Sequence, residues 1–157
     1  WYMGLFQISN EPGFLTPTLY NYVGRPDKTA EVVRKTLKER YNTTKEGIPG
    51  NDDSGSMSSW YVFHALGFYP NTGQDLYLIS SPTFEEAVIH LENGRDLSIK
   101  AKKASDKNIY VQSVKLNGEP LDACSFKHTD IANGGTLEFV MGSKPSKWGT
   151  VGVENQL

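Results

Sequence analysis

Two short runs offer the chain's most reactive chemistry: Asn10-Glu11 and Asn51-Asp52-Asp53. Each sets hard oxygen donors side by side, and each precedes apolar sequence of helical character. Oxygen donors with no convergent His or Cys suit calcium better than zinc. The runs do not follow the spacing of an EF-hand loop, so a calcium site here would be assembled from separate segments. A plainer role is also open. Asp53 or Ser54 can cap the helix that follows, and Asp52 can favour the positive end of its dipole. Position alone does not choose between the two.

The element that must carry the second run is the stretch 47–70, GIPGNDDSGSMSSWYVFHALGFYP. Gly47, Pro49 and Gly50 break regular structure, and the second half predicts a helix. With Met57, Trp60, Tyr61, Val62, Phe63, Ala65 and Leu66 that helix is apolar almost all round, the mark of a buried one. Gly67 ends it and Pro70 prevents its continuation. Carboxylates at the mouth of a buried helix are costly unless polar or cationic groups meet them.

Upstream, Pro12 turns Glu11 away from helical geometry, so the first run lies in a loop or at an element end. Leu15, Leu19, Tyr22 and Val23 recur at helical spacing over 15–23. A turn at 24–27 leads to an amphipathic helix over 28–41, with Asp27 as its expected cap and Val32, Val33, Leu37 and Tyr41 as its apolar stripe. After Pro70 short strands are predicted at 76–79, 87–91, 97–100, 109–116 and 137–141, with Asn93-Gly94 and Asn117-Gly118 as hairpin turns. The whole reads as α+β, helices over residues 1–73 and a small antiparallel β domain over 74–157.

At 157 residues the chain has room for one domain and a second small one. Its 16 basic and 18 acidic residues leave no footprint for nucleic acid or an anionic membrane, and no run has the length of a membrane span. A single cysteine, Cys124, excludes an internal disulfide and reads as a small packed side chain. Asn42-Thr43-Thr44 is a glycosylation sequon, which points toward secretion. The opening Trp1-Tyr2-Met3-Gly4-Leu5-Phe6 reads like the middle of a folded protein, so the chain is expected to be a fragment.

Several segments together resemble glycoside hydrolase family 92. They are NEP, LYNYVGRPDKT, the long 47–70 stretch, YLISSPTFEEAVIHLENGRDLSI, NIYVQSVKLNG, and HTDIANGGTLEFVMG with KWG. The resemblance covers essentially the whole chain in order. It implies calcium-dependent, inverting exo-α-mannosidases acting on N-glycans or mannan, many on α-1,2 linkages, and built on an (α/α)6 barrel. This chain would then supply the barrel's closing helices and the β structure packed at its end. On that resemblance Asp53 is the general base and Asp52 a supporting carboxylate. Asn10 and Glu11 belong to the Ca2+ site, and Glu11, Asn51 and Trp60 face the mannose-containing substrate, although a core role suits Trp60 better. The family's general acid lies upstream of NEP, so the missing N-terminal part of the same enzyme is the expected partner.

Glu46, Glu85 and Glu86 match no acid motif and read as solvated surface. His64 reads as a hydrogen-bonded core histidine. Two other readings stay open. One is a non-catalytic carbohydrate-binding module presenting Tyr77, Tyr110 and Trp148 to sugars; the other is a purely structural end-piece.

Overall fold

The structure is a computed structural model that describes residue 6 and residues 8–153. The opening run 1–5 and the last four positions lie outside the described residues. Among the described residues two α-helices, α1 (Pro26–Arg40) and α2 (Ser56–Leu66), precede eight strands: β1 (Phe68–Pro70), β2 (Tyr77–Ile79), β3 (Glu86–His90), β4 (Asp96–Lys102), β5 (Tyr110–Leu116), β6 (Glu119–Pro120), β7 (Ser125–Phe126) and β8 (Gly135–Gly142). The chain is α+β.

Helix α1 starts one residue before the expected cap. Pro26 occupies its first turn, where the missing N–H is no loss, and Asp27 sits inside the helix, paired with Arg25 at 2.7 Å. Its apolar stripe buries Val33 and Leu37 completely or nearly so. The segment expected to be helical over 15–23 is a 3-10 helix, Thr16–Val23, closed by left-handed Gly24. Three residues per turn put Pro17, Thr18 and Asn21 on the inside. Leu19, Tyr22 and Val23, which α-helical spacing would have buried, are exposed. The period, rather than the composition, decided which face points inward.

Two sheets follow. One has the order β1-β2-β7 and the other β3-β4-β8-β5-β6. Most pairs are antiparallel as expected, but β4 and β8 run parallel over Leu97–Lys102 and Gly135–Val140. Consecutive β4 and β5 leave a gap that β8 fills from later in the chain. Alternation identifies each strand but not its neighbour. Leu97, Ile99 and Ala101 of β4 and Leu137, Phe139 and Met141 of β8 line one face. They share a core with Phe68, Ile79 and Phe126 of the smaller sheet. The short strands β1, β6 and β7 were not anticipated; two or three residues carry no periodic signal. Asn117 and Gly118, both left-handed, turn β5 into β6.

Buried polar groups tie helices to sheets. Asn21, fully buried, donates to the carbonyls of Ile79 (2.7 Å) and Cys124 (3.3 Å) and accepts from the Thr29 hydroxyl (2.8 Å). Arg34 of α1 donates to the carbonyls of Pro82 (2.6 Å) and Ser105 (2.9 Å). Such bonds to a charged donor contribute about 1.5–3 kcal/mol each. The exposed Lys38–Asp106 pair nearby is screened by solvent and adds little. The two carbonyls are therefore the stronger of these ties between α1 and the segments that join the strands. Cys124 is the packed residue expected, its thiol donated to the Gly149 carbonyl and pushed up to about 12 by burial.

Candidate active site

The 47–70 stretch forms its helix, but the helix is not capped by Asp53 or Ser54. Helix α2 begins after a short 3-10 turn, Asp53–Gly55, with Gly55 at the N-cap and no side-chain cap. Ser54 (φ 55°, ψ 25°) and Gly55 (φ 77°) are both left-handed. Glycine adopts this readily; for serine it costs about 1–2 kcal/mol. The double left-handed step folds Asp52 back over the first turn of α2. One Asp52 oxygen accepts the Ser58 N–H at 2.9 Å and the other accepts the Ser58 hydroxyl at 2.8 Å. The Ser58 amide, then its hydroxyl, hold the Asp52 carboxyl below the usual carboxylate range. A free N–H of the first turn is thus met by Asp52, from outside the helix, and not by Asp53 or Ser54, the caps expected.

Asp53 is different. It is exposed, and among the described residues its carboxylate accepts no hydrogen bond. Adjacent carboxylates thus have separate conditions: Asp52 has both oxygens engaged by one serine, and Asp53 has both open.

Residues 51–60 are joined to segment 9–14 at three levels. The Asn51 N–H donates to the Ser9 carbonyl (3.3 Å), the Ser56 hydroxyl to Glu11 Oε1 (3.0 Å), and the Trp60 indole N–H to the Phe14 carbonyl (3.1 Å). At Gly50 (φ 66°) a Cβ would overlap the Ser9 carbonyl, so the backbones meet where only glycine fits. Asn10 lies just before the 3-10 turn Glu11–Gly13, whose end is marked by the Phe14 N–H donating to the Glu11 carbonyl. The two candidate runs, 40 residues apart in sequence, therefore form one end of the fold.

Trp60 is fully buried against Phe6, Tyr41 and His64, the nearest ring centroid 4.2 Å away. It shows no face to a sugar, which is the core role favoured for it, and it braces segment 9–14 from beneath. Tyr41, stacked on Trp60, donates its hydroxyl to the Met57 carbonyl. His64 is buried as expected but not hydrogen-bonded: neither ring nitrogen has a partner among the described residues. It lies parallel to Tyr69 at 4.8 Å, and desolvation pushes it down to about 3, so it is neutral. Stacking among rings, rather than a polar partner, holds it in place.

The donors fit calcium in part. Glu11 keeps one oxygen outside the Ser56 bond, and the Asn10 amide is exposed. No group of three His, Cys, Asp or Glu converges among the described residues, whereas calcium takes about six to eight oxygens. Asn10 and Glu11 can supply two ligands of a larger sphere. A depression lined by Pro26, Asp27, Tyr110, Val111, Pro145, Ser146 and Trp148 contains none of the candidate residues. Glu46, Glu85 and Glu86 are exposed. The aromatic residues of the lectin-like reading have internal tasks: Tyr77 stacks on Phe126, the Tyr110 hydroxyl donates to Glu31, and Trp148 is buried with its indole N–H on the Leu121 carbonyl.

Residues 1–143 match the glycosyl hydrolase family 92 catalytic domain. The chain belongs to glycosyl hydrolase family 92. Its similarity to an uncharacterised secreted glycosidase of Arthroderma benhamiae is 40% identity over 149 residues, covering 93% of this chain and 19% of that protein. A family GH92 α-mannosidase of Bacteroides thetaiotaomicron, solved with mannoimidazole, superposes with a TM-score of 0.85 at 36% identity, over 88% of this chain and 18% of that one. An inverting family GH92 mannosidase of the same bacterium gives 0.83 at 34%, over 90% and 19%. The family 92 chain thus spans about a fifth of the length of each of these relatives.

Proposed function

We propose that this chain is the part of a calcium-assisted, inverting α-mannosidase that carries the general base and two of the metal ligands. The observation that carries the reading is the contrast at the mouth of α2. Asp52 is tied by both oxygens to Ser58 while the Asp53 carboxylate stands free, and Ser56, just beyond their turn, bonds to Glu11. An inverting glycosidase needs one carboxylate to draw a proton from the attacking water and one carboxylic acid to protonate the leaving oxygen, about 6.5–9.5 Å apart. Asp53 takes the first role. Its open oxygens accept the water proton as the water attacks the anomeric carbon on the face opposite the leaving group. Asp52 shapes the turn that presents it. The acid comes from polypeptide outside this chain, as does the rest of the pocket.

Asn10 and Glu11 would hold the ion, and when bound it would coordinate sugar hydroxyls and favour the distorted ring of the oxocarbenium-like state. Glu11 and Asn51 meet the same sugar from the protein side, with Trp60 as the floor beneath them. Residues 1–73 on this reading are the closing helices of an (α/α)6 barrel, and 74–157 the β domain packed at its end. The substrate is terminal α-linked mannose, α-1,2 above all, on N-glycans or mannan. Secretion agrees with the sequon, whose Asn42, Thr43 and Thr44 are exposed, with Asn42 Oδ1 accepting the Thr44 N–H at 2.9 Å. No helix among the described residues is long and apolar enough to cross a membrane.

The full polypeptide that carries this chain is expected to release mannose from α-1,2-linked mannobiose. Chelation abolishes release and added calcium restores it. Release that is indifferent to chelator would remove the metal from the account, and no release under either condition would remove the activity.

A further inference from the structure

Of the three bonds that join residues 51–60 to segment 9–14, two end on backbone carbonyls: that of Ser9, from the Asn51 N–H, and that of Phe14, from the Trp60 indole. The middle one, from the Ser56 hydroxyl to Glu11 Oε1, ends on a functional side chain. A carboxylate with both oxygens free rotates about its last bond; one with a single oxygen hydrogen-bonded has its plane set and its other oxygen left for a ligand. Ser56 is the first residue of α2, three residues after Asp53, and both are placed by the same left-handed step at Ser54 and Gly55. The turn that presents the free carboxylate is therefore linked to the Glu11 side chain through one hydroxyl group.

We infer that Ser56 is a positioning residue that orients the Glu11 carboxylate for a divalent cation and couples that cation to the Asp53 turn. The inference rests on the proposed reading of Glu11 as a calcium ligand. It adds the group that sets the ligand's geometry. Ser56 acts through Glu11, so its removal is read in calcium affinity. The bonds to the Ser9 and Phe14 carbonyls stay in place without it, and the half-buried site at the start of a helix accepts alanine.

The test uses the full polypeptide with Ser56→Ala and Ser56→Thr, comparing calcium affinity by calorimetry, kcat and KM for α-1,2-linked mannobiose, and the unfolding midpoint without calcium. A hydrogen bond to a carboxylate is of the size that shifts an equilibrium about tenfold or more. Ser56→Ala is expected to weaken calcium about tenfold and raise KM by a similar factor, with a smaller change in kcat and an unchanged calcium-free midpoint. Ser56→Thr, which keeps the hydroxyl, is expected to bind calcium like the parent. Calcium affinity unchanged in Ser56→Ala while the parent binds calcium and releases mannose would overturn the inference alone. A Ser56→Ala protein whose calcium-free midpoint falls, and which threonine does not rescue, would also overturn it by showing a merely structural bond. A parent that neither binds calcium nor releases mannose would overturn the inference together with the reading beneath it.

Discussion

Asp53→Asn is expected to lower kcat of the full polypeptide about a thousandfold, within the range that general acid–base groups contribute. Asparagine keeps the size of the side chain but cannot take the water proton. The Asp53 carboxylate accepts no hydrogen bond within the described residues, and the Ser56 N–H bonds only to its backbone carbonyl, so the change disturbs no contact that the fold uses. Substrate affinity and the unfolding midpoint should therefore stay close to those of the parent. Asp52→Asn is the informative control: an amide oxygen can still accept from Ser58, and activity should fall far less. Equal losses in the two variants would contradict the division of labour between the neighbouring carboxylates. Steady-state kinetics on purified variants decides it.

Trp60→Ala is expected to cost about 3–5 kcal/mol of stability, as truncation of a buried aromatic does. Its ring fills the space among Phe6, Tyr41 and His64, and alanine would leave that space empty. The Phe14 carbonyl would also lose its donor, loosening segment 9–14 at its far end. Trp60→Phe keeps one aromatic ring in the cluster while deleting the N–H and part of the indole's volume, and should cost less than alanine. Denaturant unfolding of the full polypeptide measures both. A loss below about 1 kcal/mol for the alanine variant would show that Trp60 is not the pillar of this cluster.

Much of this was readable from residue types, and what was not has physical reasons. The long strands announced themselves through alternation, and Asn93-Gly94 and Asn117-Gly118 marked real turns. The parallel β4–β8 pair could not be seen, because register within a strand says nothing about which strand enters beside it. Over 16–23 the apolar residues kept their spacing while the chain wound tighter, so Thr18 and Asn21 went inside and Leu19 and Val23 outside.

At the candidate site the donors were evident, but their wiring was not. Nothing in NDDSG signals that serine adopts a left-handed conformation and hands the capping role to Asp52. Nor does Ser56 advertise a bond to a glutamate 45 residues away. His64 shows the limit of the rule that buried polar groups find partners, for its ring nitrogens have none among the described residues.

The anomer of the first mannose released by the full polypeptide tests the central claim most directly. Proton NMR during the first minutes of hydrolysis, before mutarotation, reads it without a trapping step. An Asp53-activated water attacking opposite the leaving oxygen gives β-mannose first, with the α-anomer growing in as equilibrium is reached. α-Mannose appearing first would require a retained configuration, and with it a nucleophile in place of the base assigned to Asp53.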